Sequence, residues 1–337
     1  MTSRLSASTN RAFFLRLVGT LLTLLLLIYL LSRQGWGEIG EAIRQIPLWR
    51  FGLALGLMMV SRLAVSGRWH VLLRAVELDI SAGQTIRLTF AGLFASNFLP
   101  TTIGGDVIRL AGAMQLKFDG AICAASLVVD RLVGMAGMAM ALPFGIPSFL
   151  AGKFMEGSSP LSGHLMSGVA FPTVGLWYRR LQERIKNLLQ KLIQAISRWI
   201  KQPGALLFAL ALSWLHMICL FGSILILLNG MGETISFWTI AGLWSVVYFV
   251  TLVPISINGY GLQEVSMAFL FTNVGGVSHQ SGLTIAILIR TITMLASLPG
   301  AAFVPGIMAG RNESRRTTSL TQAMGESTLE DPGGLRK

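Results

Sequence analysis

Apolar residues run through this chain in long blocks. Ala12–Leu31 holds one charge, Arg16, and Gln202–Gly232, Thr234–Gln263, Val265–Ile289 and Thr291–Gly310 hold none. A helix of about 20 predominantly apolar residues crosses a hydrocarbon core of roughly 30 Å. The blocks therefore predict spanning helices at Ala12–Leu31, Ala205–Leu228 and Gly282–Val304. Further spans are expected at Leu48–Trp69, with Arg62 inside it, at Ala121–Leu150 and at Gly157–Tyr178, whose Ser, Gly and Pro content weakens the pattern.

Four apolar pieces are too short to cross comfortably. Thr85–Leu99 and Val107–Leu116 are joined through NFLPTTIGGDVIR (Asn97–Arg109), and Trp238–Val253 and Gly261–Thr272 through PISINGYG (Pro254–Gly261). Each joint opens on a proline, Pro100 or Pro254, and continues with glycines, Gly104 and Gly105 or Gly259 and Gly261. An acid, Asp106 or Glu264, then starts the next helix, and an arginine follows on the next span: Arg131 lies 25 residues after Asp106, Arg290 26 after Glu264. Matching helix breaks in two halves point to a transport site near the bilayer midplane. The expected fold is an all-α polytopic membrane protein of about six full spans and two oppositely oriented re-entrant hairpins. That inverted repeat has about eight hydrophobic segments or more and forms a single domain over residues 12–310.

Composition agrees: 53% of the residues are hydrophobic and 12% charged, about half the charged share of soluble domains. The formal charge of +12 has a location. Seven basic residues against one acid lie between Arg179 and Lys201, where Leu181, Ile185, Leu188, Leu192, Ile196 and Trp199 form one apolar helical stripe. A basic amphipathic helix over 179–201 is expected to lie on an anionic leaflet; nucleic acid is not expected as a partner, since no recognition module accompanies the charge. Short basic loops stay inside, so the helix, together with Arg4 and Arg11, places both termini in the cytoplasm and the protein in the cytoplasmic (inner) membrane. Arg68, Arg74 and Arg87 are read as an inner-face cluster, and Trp36 and Trp49 as interfacial residues. Residues 1–11 form the cytoplasmic N-terminus, the first span is read as uncleaved, and the polar tail 311–337 is expected to be disordered. Cys123 and Cys219 are read as packing residues.

The ionisable residues expected within the bilayer are Arg62, Asp106, Arg109, Asp130, Arg131, Glu264 and Arg290. Such groups must pair or face a cavity. Mutual pairing that only holds helices together is one reading, and helix capping by Asp106 and Glu264 is another. The functional reading rests on the backbone, because interrupted helices persist in a bilayer only when buried in protein or lining a wet cavity. Half-helix N-termini and arginines suit an anion such as a phosphate; the carboxylates oppose one unless they neutralise arginines or meet a cationic group. A zwitterionic or amine-bearing headgroup suits both signs, and the expected partner is a membrane lipid with an anionic or zwitterionic headgroup. Enzymatic readings lack support. PLSGH (Pro160–His164) is a fragment of a lipid-phosphatase signature without its other motifs; His70, His216 and His279 show no zinc spacing; no nucleotide loop occurs. No cofactor, metal or catalytic residue is expected.

The two joints resemble the membrane region of the lysylphosphatidylglycerol synthetase/flippase family. Asn97, Pro100, Gly104, Gly105, Asp106 and Arg109, followed by Asp130 and Arg131, are similar to its first signature; Pro254, Gly259, Gly261, Glu264 and the later Arg290 are similar to its second. Where the family often has a Gly-Gly-Leu-Gly run and an arginine before the glutamate, this chain has Asn258-Gly259-Tyr260-Gly261 and Gln263, which puts the headgroup preference in doubt. The aminoacyl-transferase domain is missing, so lipid synthesis is not expected. The resemblance implies translocation of a polar phospho- or glycolipid, with Asn97, Asp106, Arg109, Asp130, Arg131, Glu264 and Arg290 lining a central headgroup groove. A non-transporting lipid-binding accessory to a lipid-biosynthetic enzyme or glycosyltransferase is the alternative, and a membrane enzyme the third class.

Overall fold

The computed structural model describes residues 44, 46–98, 104–145, 147, 197–253 and 259–307. The first span, the Gly157–Tyr178 segment, most of the basic helix, Pro100, Pro254 and the tail lie outside these residues.

The first half comprises α1 (Leu48–Arg74), α2 (Ala82–Phe98), α3 (Gly104–Gln115) and α4 (Gly120–Ala141). The second comprises α5 (Pro203–Gly230), α6 (Phe237–Leu252), α7 (Leu262–Asn273) and α8 (His279–Ser297). Local chemistry sets several boundaries. Asp119 caps α4, its carboxylate accepting from the backbone N–H groups of Ala121 at 2.7 Å and Ile122 at 3.0 Å. Pro203 occupies the first turn of α5, where its missing N–H leaves no bond unmade. Ser278 caps α8 by accepting from Ser281 N–H at 3.2 Å.

Helices α4 and α8 both end at a Leu-Pro pair and continue as a tight 3-10 turn, Leu142–Gly145 and Leu298–Ala302. Proline cannot donate to the α-helical ladder, so the predicted spans Ala121–Leu150 and Gly282–Val304 stop as α-helices earlier than their hydropathy suggests. Helix α1 does the reverse, running past Trp69 to Arg74 because Val71, Leu72 and Leu73 keep it apolar.

Four described helices are long and apolar enough to cross a membrane: α1, α4 with its turn, α5, and α8 with its turn. Helices α3 and α7 have 12 residues each, which at 1.5 Å per residue gives only about 18 Å. The exposed Leu48, Trp49, Leu207, Phe208 and Ile218 belong to the span-length helices, where apolar exposure meets lipid rather than water.

The two halves interlock. Helices α1 and α5 pack antiparallel: Ser223 Oγ donates to Ala54 O at 3.1 Å, Ser61 bonds His216 at 2.6 Å, and Arg68 donates to Ser213 at 3.1 Å. Partners thus descend along α5 as they climb α1. The 3-10 turn after α4 docks on α6, where a Cβ on Gly242 would lie 2.0 Å from Gly145 N. The 3-10 turn after α8 docks on α2, where a Cβ on Gly300 would lie 2.0 Å from Phe90 O. Each half therefore places the end of its last helix against the second helix of the other half. The largest apolar core, including Met58, Phe221, Leu243, Met267, Phe271 and Ile289, fills the space among α1, α5, α6, α7 and α8.

Candidate functional site

The first break is held by close helix contact. Helices α2 and α3 cross antiparallel, and a Cβ on Gly105 would sit 2.0 Å from Ser96 Oγ and 2.5 Å from Gly92 O. Only glycine allows that approach. The second break uses glycine for its dihedrals: Gly259 has φ +70° and Gly261, the residue before α7, φ +76°, a region costly for a residue with a Cβ.

Both acids fall in the first turn of the short helix after the break, as expected, and at the start of α7 no side-chain cap forms. Their carboxylates go to the next long helix instead. Arg131 Nε donates to Asp106 Oδ2 at 2.6 Å, and Arg290 Nε donates to Glu264 Oε1. Arg290 also donates to Gly259 O at 3.3 Å and lies over the Tyr260 ring, 4.7 Å from its centroid.

The first half adds a deeper cluster. Asp130, 2% exposed, accepts from Arg68 Nε at 2.7 Å and from Arg109 Nη1 at 3.3 Å. Arg109 also stands 3.6 Å from Asp106 and 4.1 Å above the centre of the Trp69 ring. Trp69 is held by Nε1–H donating to Ser126 Oγ at 3.0 Å. Buried charges survive when paired and hydrogen-bonded, and a desolvated cation over a tryptophan face gains about 2 kcal/mol. Gly134 makes room for Arg68: a Cβ there would lie 2.8 Å from Nη1.

These groups surround a cavity of about 220 Å³, lined among others by Arg68, Asp106, Arg109, Asp130 and Arg131, with Ser213, His216 and Tyr248 also on its wall. Three guanidinium groups face two carboxylates, leaving one positive charge in excess, since arginine stays protonated. Two buried polar atoms on the lining residues, Arg109 Nε and Thr89 Oγ1, have no hydrogen-bond partner among the described residues.

Of the expected site residues, Asp106, Arg109, Asp130 and Arg131 come together here. Glu264 and Arg290 form a separate pair that does not line this cavity. Asn97 joins the halves, its side-chain amide donating to Ser297 at 2.9 Å and its carbonyl accepting from Tyr260 Oη. Arg68 is expected in the inner-face cluster, but α1 continues for more than a turn beyond it, so its guanidinium turns inward to Asp130. The sequence hint is the apolar Val71–Leu73 following it. Arg74, at the true end of α1, meets Asp79 at the surface. Ser213, His216 and Tyr248 carry no comparable signal, being isolated polar residues in apolar runs.

A family model described as the lysylphosphatidylglycerol synthase TM region matches residues 16–300. A UPF0104 membrane protein of Methanothermobacter thermautotrophicus is 20% identical over 305 residues, covering 80% of this chain and 89% of the relative.

Proposed function

The chain belongs to the lysylphosphatidylglycerol synthase transmembrane-region family, a family of membrane proteins, and from that premise we propose that it binds and translocates a polar lipid headgroup. The observation that carries this reading is the cavity with five charged side chains and one arginine in excess. A purely structural network would be expected to balance its charges and satisfy its donors. This one leaves Arg109 Nε and Thr89 Oγ1 idle. At about 220 Å³ the space is smaller than the roughly 300–1,000 Å³ that drug-sized ligands occupy. It suits a phosphate-bearing headgroup whose acyl chains stay in lipid.

The arrangement of the halves supports movement as well as binding. Antiparallel α1 and α5 occupy equivalent places in the two halves, the docking of the 3-10 turns is reciprocal, and each short helix hands its acid to an arginine on the next helix. We read this as an inverted repeat whose two helix pairs, α2–α3 and α6–α7, enter from opposite faces, the architecture in which repeats rock about a shared site. The protein then acts in the cytoplasmic membrane with both termini inside, and leaves the lipid chemically unchanged.

Reconstituted vesicles carrying fluorescent headgroup lipids test this reading. Leaflet exchange is expected for wild type and is expected to fall at least tenfold in Asp106→Asn and Glu264→Gln. Equal exchange in all three proteins would sink the transport reading. Retention of lipid without exchange would make the protein an accessory for a lipid-biosynthetic partner, and a chemically altered lipid would make it an enzyme.

A further inference from the structure

Arg62 lies one residue from the midpoint of α1 (Leu48–Arg74). Its Nη2 meets only two weak neutral acceptors, Met58 Sδ at 3.4 Å and Thr293 Oγ1 at 3.4 Å. Its Nε is buried and has no partner among the described residues. No carboxylate among the described residues lies within ion-pair distance. Every other described arginine on the inward faces of the bundle, Arg68, Arg109, Arg131 and Arg290, has an acid.

An unpaired cation at that depth is unfavourable by several kcal/mol. Snorkelling to an end of the helix does not relieve it, because the middle of this 27-residue helix lies about 20 Å from either end, beyond a single side chain's reach. Its surroundings connect both charge clusters. Thr293 is one helical turn from Arg290, whose partner Glu264 keeps a second carboxylate oxygen, Oε2, buried and unpartnered. On the other side, the neighbouring Ser61 bonds His216, which lines the Asp130 cavity.

We propose that Arg62 is the receiving cation of a second anion-binding position, enclosed by α1, α5 and α8. It takes the phosphate of a headgroup that leaves the Asp130 cavity toward the second half. The proposal rests on the lipid reading above and assigns that reading an intermediate station. Arg62 and Arg290 together outnumber Glu264 by one charge, the same formal surplus the first cavity carries, so a phosphate monoanion meets the same net charge at either position.

The test uses full-length protein, delipidated in detergent and titrated with dioctanoylphosphatidylglycerol. Native mass spectrometry is expected to find two retained lipids per wild-type chain and one in Arg62→Met. Without lipid, Arg62→Met is expected to melt at or above the wild-type temperature, since an unneutralised, partly buried charge is gone; a structural arginine would give the opposite shift. Inorganic phosphate that displaces the second lipid identifies a site for the phosphate group alone, and persistence of the lipid identifies one that also needs the acyl chains; both keep the site. Equal lipid counts in the two proteins, or a lipid-free Arg62→Met less stable than wild type, overturn the proposal. Absence of leaflet exchange in wild-type vesicles, with the second lipid still dependent on Arg62, removes the transport reading and leaves this site standing.

Discussion

Arg131 reaches from α4 to Asp106, 2.6 Å away across the first helix break, and Arg290 repeats the gesture from α8 to Glu264. The two pairs differ in surroundings: the side chain of Arg131 is 58% exposed and that of Arg290 12%. An exposed ion pair contributes about 0–1 kcal/mol, whereas removing one partner of a buried pair costs about 3–5 kcal/mol. Arg131→Met is therefore expected to leave thermal stability in detergent nearly unchanged, and Arg290→Met to lower it by several degrees. Similar melting temperatures for both variants would contradict the assigned environments.

Asp130 holds two arginines at once. Asp130→Asn leaves Arg68 and Arg109 buried without their shared carboxylate, and a loss of about 3–5 kcal/mol is expected. Adding Arg68→Met to Asp130→Asn removes one of the stranded charges and is expected to recover part of that loss. A double variant as unstable as the sum of its singles would show that the pair is not coupled.

The glycine contacts separate steric from conformational roles. Gly242→Leu drives a side chain into the Gly145 backbone, and Gly105→Val into α2; each is expected to cost at least about 1–3 kcal/mol through overpacking. Gly56, where a Cβ would meet nothing within 4 Å, is the control: Gly56→Ala is expected to stabilise α1 by about 0.5–1 kcal/mol. Unfolding midpoints of the three variants would settle the order.

The antiparallel packing of α1 and α5 puts the loops that follow them at opposite ends of the bundle. Asp79, after α1, and Thr234, after α5, bracket the bundle from its two ends, and Asp79 is exposed. Single cysteines at these positions are expected to react with a membrane-impermeant thiol reagent from opposite sides of the membrane, Asp79→Cys from the cytoplasm. The native Cys123 and Cys219 are buried, so background labelling should be low. Labelling of both from one side would rule out an inverted repeat.

Helix positions are legible in the sequence because hydropathy acts over whole turns: α5 and α6 begin and end within about two residues of their apolar blocks, inside the ordinary scatter of helix boundaries. The recurrence of an acid and a later arginine is legible too, since Asp106 to Arg131 and Glu264 to Arg290 keep nearly equal spacing in two halves, although spacing alone does not show that they pair. What sequence does not supply is direction. Asp130 and Arg131 are neighbours, yet a helix turns about 100° per residue, sending one to the deep cluster and the other to Asp106. Arg68 is misplaced by its sequence for a related reason: its role depends on the length of α1 and on the gap at Gly134, sixty-six positions away. The Leu-Pro pairs at Leu142 and Leu298 do stand in the sequence as a repeat. Their meaning lies in a reciprocal contact that only the packed halves display.

The surplus arginine of the Asp130 cavity has an electrical consequence. Empty, the cavity carries one net positive charge; holding a phosphodiester, it carries none. A full elementary charge moved across 100 mV is worth about 2.3 kcal/mol. If the headgroup is carried as proposed, filling the cavity removes its net charge, so voltage acts less on the loaded protein than on the empty one. The membrane potential then draws the unfilled site toward the negative side and biases the return step of the cycle.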